Sequence, residues 1–283
     1  FFWANTIDPT ADYGDSITLF HEHGTSDKKY EGGHPVAIEK LSTYDYIVLS
    51  GPKNAHRLID IGLDLPASKL IEGGCFRFDD YLEGTLTKHN AQAALGIRDL
   101  SRKTGLYAPT WKFGNGTFRK YAGRFIRALQ GEYNLILRPH YHDRRYARLL
   151  YYTYRLLGYK HLYFSDPEQL QEADTYQAFA ASDLLISDVS SVIYEYLITQ
   201  NPIIIAQNDF AQRHSMPPSL DIHSVAAVYD GKQSIASLVG HSLTRADQTR
   251  ADYGQLLRNC FYQSEGGAVE RLVSLLTKIM YAD

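Results

Sequence analysis

Asp188, Ser190, Ser191 and Glu195 lie within the stretch 181–208, ASDLLISDVSSVIYEYLITQNPIIIAQN. An apolar run ends at Ser187, and apolar residues then recur at helical spacing through Val192, Ile193, Tyr196 and Leu197 until Asn201-Pro202 stops them. Serines at a helix start offer hydroxyl caps, while free backbone N–H groups and the positive end of the helix dipole attract anions, phosphate best of all. Glu195, one turn in, is placed to accept hydrogen bonds from a ribose diol. The plainer alternative is that Asp188 and the serines only cap a helix.

Two other clusters carry comparable chemistry. A strand at 17–20 runs into His21-Glu22-His23-Gly24-Thr25, with Lys28 and Lys29 behind it. Another at 134–137 delivers Arg138-Pro139-His140, where the guanidinium can pair with phosphate oxygens. Histidines at the carboxyl ends of parallel strands sit at the mouth of an α/β crevice, where such sheets bind ligands. His21 and His23 could also be a metal pair, but no third ligand follows at a usual spacing. No metal is therefore expected.

The elements that must position these groups alternate between strand and helix. Strands are predicted at 44–50, within 70–78, and at 105–110, 134–137, 162–164, 184–187 and 203–206. Helices are predicted at 54–61, 88–95, 118–129, 144–157, 174–181, 192–199 and 268–280. In this reading Asn115-Gly116-Thr117 caps the third helix, and Arg77 and Asp79 follow the Gly73-Gly74 pair of the third strand. The pattern is α/β with parallel sheets. Polar residues at 99–104 mark a boundary, giving an N-terminal Rossmann-like domain at 1–103, apparently shortened, and a second at 104–283 that binds the nucleotide donor.

Composition narrows the class. With 283 residues, 44% hydrophobic and 22% charged, the chain can bury one large core or two smaller ones. A net charge of -3 gives no field for nucleic acid, and no nucleic-acid partner is expected. Eleven Lys/Arg against only Glu132 and Asp143 crowd residues 112–160, a patch that suits an anionic substrate or membrane surface, or else a solvated helix face. Cys75 and Cys260 are far apart, which speaks for a reducing compartment rather than a disulfide framework. No apolar run approaches the roughly 18 residues of a membrane span.

The ordered set His23-Gly24-Thr25 with Lys28, Tyr107-Ala108-Pro109-Thr110-Trp111, Arg138-Pro139-His140, and Ser187-Asp188-Val189-Ser190-Ser191 with Glu195 resembles the CDP-glycerol glycerophosphotransferase family. These are the bacterial teichoic-acid and capsule polymerases and primases. The resemblance covers about 16–208. It implies a GT-B fold of two Rossmann-like domains facing across a cleft, and transfer of a glycerol- or ribitol-phosphate from a CDP-activated donor to a hydroxyl of a lipid-linked or polymeric acceptor, releasing CMP. The donor is a substrate, and no cofactor is implied.

By the same resemblance His23 deprotonates the acceptor hydroxyl, a task suited to an imidazole that titrates near neutrality. His140 and Arg138 stabilise charge on the donor pyrophosphate. Asp188, Ser190, Ser191, Thr110, Gly24 and Thr25 bind phosphate or nucleotide, and Glu195 holds the ribose. Lys28, Arg77, Asp79 and Lys112 are acceptor-side or charge-stabilising groups. The enzyme is expected in the cytoplasm, peripheral on the inner membrane face. The chain departs from the family pattern at Glu22, Ser26, Val189, Glu195 and across 74–79. Two other classes stay open: a GT-B glycosyltransferase using a nucleotide sugar, and a non-catalytic nucleotide-binding domain of a larger synthase.

Overall fold

The computed structural model describes residues 2–3, 14, 16–22, 24–29, 35–84, 86–111, 115–168 and 175–281. They form two compact units: Phe1–Glu83 with Ala211–Asp221 and Gln255–Asp283, and Gly84–Phe210 with Ile222–Gly254.

In the first unit β1 (Phe2–Trp3), β2 (Leu19–His21), α1 (Pro35–Ser42), β3 (Tyr46–Leu49), α2 (Pro52–Asp60), β4 (Leu70–Glu72) and α3 (Arg77–Leu82) follow in order. The strands make a parallel sheet in the order β1-β2-β3-β4. Phe2 and Trp3 thus add an edge strand on Leu19 and Phe20 that the sequence pattern had not revealed. β4 ends at Glu72 because the next two glycines turn the chain. A Cβ on Gly73 would meet Val48 Cγ1 at 2.4 Å, and Gly74 has a φ of +78°. Arg77 and Asp79 therefore sit on a helix.

The second unit runs through α4 (Lys88–Ala94), β5 (Thr104–Tyr107), α5 (Phe118–Leu129), β6 (Asn134–Leu137), α6 (Arg144–Leu156), β7 (Leu162–Phe164), α7 (Thr175–Ala181), β8 (Leu184–Ser187), α8 (Val192–Glu195), β9 (Ile203–Ala206), β10 (Ala227–Tyr229) and α9 (Ile235–Thr244). Its six parallel strands lie in the order β10-β9-β8-β5-β6-β7. Numbered from β5, this is the doubly wound order 3-2-1-4-5-6, with its switch point between β5 and β8. Strands β5, β6, β8 and β9 are buried along their whole lengths, as apolar runs covered on both faces must be. Tyr107, Phe118, Phe125, Ile186 and Ile204 are among the side chains of the core so formed.

Sequence boundaries and compact units differ at two places. Helix α4, read as the end of the first domain, belongs to the second unit. There the Gln92 amide donates to Thr104 Oγ1 at 3.3 Å and to the Ala181 carbonyl at 3.1 Å. Helix α10 (Ala246–Cys260) carries the chain back into the first unit, and α11 (Ala268–Met280) packs Leu272 with Leu19, Val48 and Ile71 of that unit's sheet.

Candidate active site

The chemistry-bearing loops of the second unit leave the carboxyl ends of β5, β6 and β8, around the switch point. β5 pairs with β8 through Leu106–Leu185 and Tyr107–Ile186, and the Ser187 hydroxyl donates to the Ala108 carbonyl at 2.6 Å. Asp188 follows. Its carboxylate accepts the backbone N–H groups of Thr110 and Thr117, each at 2.8 Å, and the Thr117 hydroxyl at 3.0 Å. The Tyr107 hydroxyl donates to Thr117 Oγ1 at 2.9 Å. Gly116 passes so close to Thr110 that a Cβ would lie 1.9 Å from its carbonyl oxygen, so glycine is required there. Asp188 thus fastens the loop after β5 and the start of α5. The hydroxyl of Thr117, expected to cap α5, is spent on Asp188 instead, and makes no capping bond.

A cleft of about 200 Å³ opens here, lined by Ala108, Pro109, Arg138, His140, Thr175 and Ser190 among others. It is smaller than the roughly 300–1,000 Å³ of whole-ligand sites and suits a diphosphate rather than a complete nucleotide. Arg138 is buried. Its Nε and one terminal nitrogen donate to Thr175 Oγ1 at 3.2 and 2.9 Å, and the other donates to Ser165 Oγ at 2.6 Å. His140 is exposed, and its Nδ1 accepts the His142 N–H at 3.3 Å. With Nδ1 occupied as an acceptor, the neutral ring carries its proton on Nε2, which makes that atom a donor. Trp111 stacks on His140 at 5.8 Å and lies 4.5 Å from the His142 ring.

The phosphate-loop reading is only partly met. Ser190 and Val192 line the cleft. Helix α8, however, is one turn that tightens into a 3-10 turn at Tyr196–Thr199, so its dipole is far smaller than that of the predicted 192–199 helix. The Ser191 hydroxyl makes no capping bond. Glu195 is 2% exposed and accepts the Tyr176 hydroxyl at 3.2 Å, and Asp188 is committed to Thr110 and Thr117. Asp188 therefore holds the loop after β5 and Glu195 bonds to α7, and neither is among the residues lining the cleft. Sequence reading missed Ser165 and Thr175 and gave Thr117 only as a helix cap; Ser165, directly after β7, was accessible to the same strand-end rule that found Arg138.

In the first unit His23 lies outside the described residues, as does Lys112 in the second. The segments flanking His23 are tied to α2. Thr25 is buried and donates to Asn54 Oδ1 at 3.3 Å, and Glu22 accepts the Asn54 amide at 3.0 Å and the Arg57 guanidinium. Arg57 also donates to the Lys28 carbonyl at 2.9 Å. Lys53 pairs with Asp27 at 2.6 Å. His21, the other half of the metal alternative, approaches Ser50 Oγ at 3.3 Å and stacks on Phe76. Gly24 is half-buried, and Arg77 opens α3. Asp79, read as a charge-stabilising group, caps α11 by accepting the N–H groups of Ala268 and Val269 at 3.1 and 2.8 Å. The nearby cleft of about 510 Å³ also carries Asp80, Glu83, Glu265 and Glu270, and would repel a diphosphate.

His214 adds a pH dependence to this network. Burial and the Arg57 charge push its imidazole down to about 4, although its Nδ1 lies 2.9 Å from Asp60 Oδ2. The contact at neutral pH is then a hydrogen bond from a neutral ring. Unfolded, the ring takes its proton near 6.5, so between those values the unfolded chain binds more protons and stability falls as pH drops. Thermal melts stepped from pH 7 to 4 should show this decline. The His214→Gln variant should flatten it, and an equally steep decline in that variant would remove His214 as its source.

The comparisons agree with this architecture. The family described as CDP-glycerol:poly(glycerophosphate) glycerophosphotransferase matches residues 19–278. The wall teichoic acid polymerase TagF superposes with a TM-score of 0.68 at 17% identity, over 98% of this chain and 72% of that one. Sucrose-phosphate synthase from Thermosynechococcus elongatus gives 0.55 at 14% identity, over 96% and 70%. Anabaena HepE in complex with UDP gives 0.51 at 13%, over 93% and 72%. These likenesses are of fold, and the fold is of the GT-B type. No curated protein matches the chain. The match across 19–278 nonetheless spans every strand of both sheets except β1, and the chain belongs to the CDP-glycerol:poly(glycerophosphate) glycerophosphotransferase family of enzymes.

Proposed function

We propose that the enzyme transfers a polyol phosphate, glycerol- or ribitol-phosphate, from a CDP-activated donor to a hydroxyl of a lipid-linked or polymeric cell-surface acceptor in teichoic-acid or capsule synthesis. The acceptor oxygen attacks the polyol-bearing phosphorus, the P–O bond to the bridging oxygen breaks, and CMP leaves with that oxygen. His23 takes the acceptor proton. Arg138 neutralises charge on the pyrophosphate, and the Nε2–H of His140 donates to an oxygen on which charge develops. Ser190 and the N–H groups of its loop hold phosphate. Gly24 and Thr25 take part in donor binding. Lys28, Arg77 and Lys112 serve the acceptor or the developing charge. The reaction takes place on the cytoplasmic side of the membrane.

One observation carries this reading: the diphosphate-sized cleft at the sheet's switch point, with a buried arginine and a histidine donor on its wall. The test is CMP release from CDP-glycerol and CDP-ribitol beside a panel of nucleotide sugars. His140→Ala and His23→Ala should each lower turnover on the order of a hundredfold, the first as a lost donor to developing charge and the second as a lost proton-transfer group. Turnover of a nucleotide sugar without CMP release would assign a glycosyltransferase instead. Full activity in both histidine variants would overturn the assignment of those residues, and a parent chain that binds CDP but turns over no donor would be a nucleotide-binding domain.

A further inference from the structure

A second cavity in the same unit, of about 630 Å³, lies at the amino ends of the parallel strands, around the segment before β5 and the start of β7. That volume falls within the roughly 300–1,000 Å³ of whole-ligand sites. Three cations line it: Arg98 from the segment after α4, Arg155 from the last turn of α6, and Lys160 from the loop before β7. The acid among the lining residues is Asp99, and it is already engaged. Its carboxylate accepts the Arg102 guanidinium at 3.0 Å and the Ser101 hydroxyl at 2.6 Å. Arg98 and Lys160 make no salt bridge to any described residue. The cavity therefore keeps a positive field.

Its walls are fixed without a ligand. Arg155 donates to the carbonyls of Tyr159 and Lys160 at 3.4 and 2.6 Å. At the start of β6 the Asn134 amide donates to the Asp99 carbonyl at 2.7 Å, and the Leu135 N–H to the His161 carbonyl at 2.9 Å. The Tyr163 side chain is hydrogen-bonded to the Arg98 backbone. A site held in this way loses little freedom when it is filled. Beside the cations stand Leu95, Leu162 and the rings of Tyr151 and Tyr163. Cations alone attract any anion, whereas leucine and tyrosine surface gains only if the anion carries an organic body.

The place of the cavity sets it apart from the transfer reaction. Reacting ligands of open α/β sheets sit at the carboxyl ends of the strands. β7 leads from the cavity at Leu162 to Ser165, which accepts from Arg138 in the cleft, so cavity and cleft lie at opposite ends of one strand. We infer that this cavity is a second ligand site, for an organic phosphate monoester, with the phosphate on Arg98, Arg155 and Lys160 and its organic body against the leucines and tyrosines. A nucleoside monophosphate and a polyol phosphate share that chemistry. Stacking on a tyrosine ring favours the nucleotide, so relative affinity tells the two apart.

Isothermal titration of the whole chain with CMP, glycerol phosphate and inorganic phosphate tests this without turnover. An Arg98→Gln, Lys160→Gln double variant removes two exposed side chains and should melt like the parent. It should take up one equivalent of ester fewer, or bind it at this site about tenfold more weakly or worse. If the cleft also binds CMP, the parent fills two sites and the variant one. If the transferase reading fails, the parent fills one and the variant none, and the difference between them stands. CMP bound more tightly than glycerol phosphate assigns a nucleotide, and the reverse order a polyol phosphate. Equal uptake of both esters by parent and variant overturns the inference. Inorganic phosphate bound as tightly as either ester does so too, by leaving only a patch of cations.

Discussion

Replacing Asp188 with alanine is expected to lower the stability of the second unit by about 3–5 kcal/mol, the range for stripping a buried charged group from its partners. The carboxylate is 1% exposed and accepts hydrogen bonds from the backbone N–H groups of Thr110 and Thr117 and from the Thr117 hydroxyl. Hydrogen bonds to charged groups contribute about 1.5–3 kcal/mol each, and orphaned donors add their desolvation. Asp188→Asn is not conservative here. One of its two oxygens becomes an NH2 that must face another donor, Thr110 N–H or Thr117, so a loss of about half the alanine effect is expected. Affinity for CDP should fall in parallel, because the same bonds fix the Thr110 and Thr117 ends of the loop beside the cleft. Denaturant titration followed by far-UV dichroism reads the stability. An unchanged midpoint in Asp188→Ala would show that these donors find water, and would return the loop to a surface turn.

How far such features are legible follows from where their partners lie in the chain. Strands β6, β8 and β9 appear at 134–137, 184–187 and 203–206 as predicted, because a strand covered on both faces must be a continuous apolar run, and the edge strand β7 appears at 162–164 from its apolar triplet. The two-residue β1 and three-residue β10 are too short to show periodicity, and both are edges. The site was visible as strand-end loops, since Arg138-Pro139-His140 and Asp188 to Ser190 need only local context. The direction in which each carboxylate faces was not visible. Asp188 is satisfied by residues 71 and 78 positions away, and Asp79 by a helix 189 and 190 positions away. Helix α2 misleads for the opposite reason. Its sequence PKNAHRLID reads as a polar surface helix, yet Lys53, Asn54, Arg57 and Leu58 form its buried face. The acids Glu22 and Asp27, a loop away, pair with those cations.

That buried face gives the second large effect. Lys53→Met should destabilise the first unit by about 3–5 kcal/mol, because it leaves Asp27, 4% exposed, without its 2.6 Å partner. The pair itself adds little net stability. Burial lowers the Lys53 ammonium below its ordinary range even though Asp27 opposes the shift. The folded lysine thus binds its proton less readily than the unfolded one. Stability should rise with pH between the folded and unfolded pKa values, and this alkaline rise should vanish in Lys53→Met. Replacing both partners, Lys53→Met with Asp27→Leu, should restore the parent's denaturation midpoint or exceed it by about 1–4 kcal/mol, since two desolvated charges are exchanged for apolar volume. Turnover separates packing from positioning. The pair ties the 22–29 segment, which carries His23, to α2. A double variant that recovers stability but not CMP release would mean that the charges are kept for holding that loop. Recovery of both would reduce the pair to a replaceable core contact.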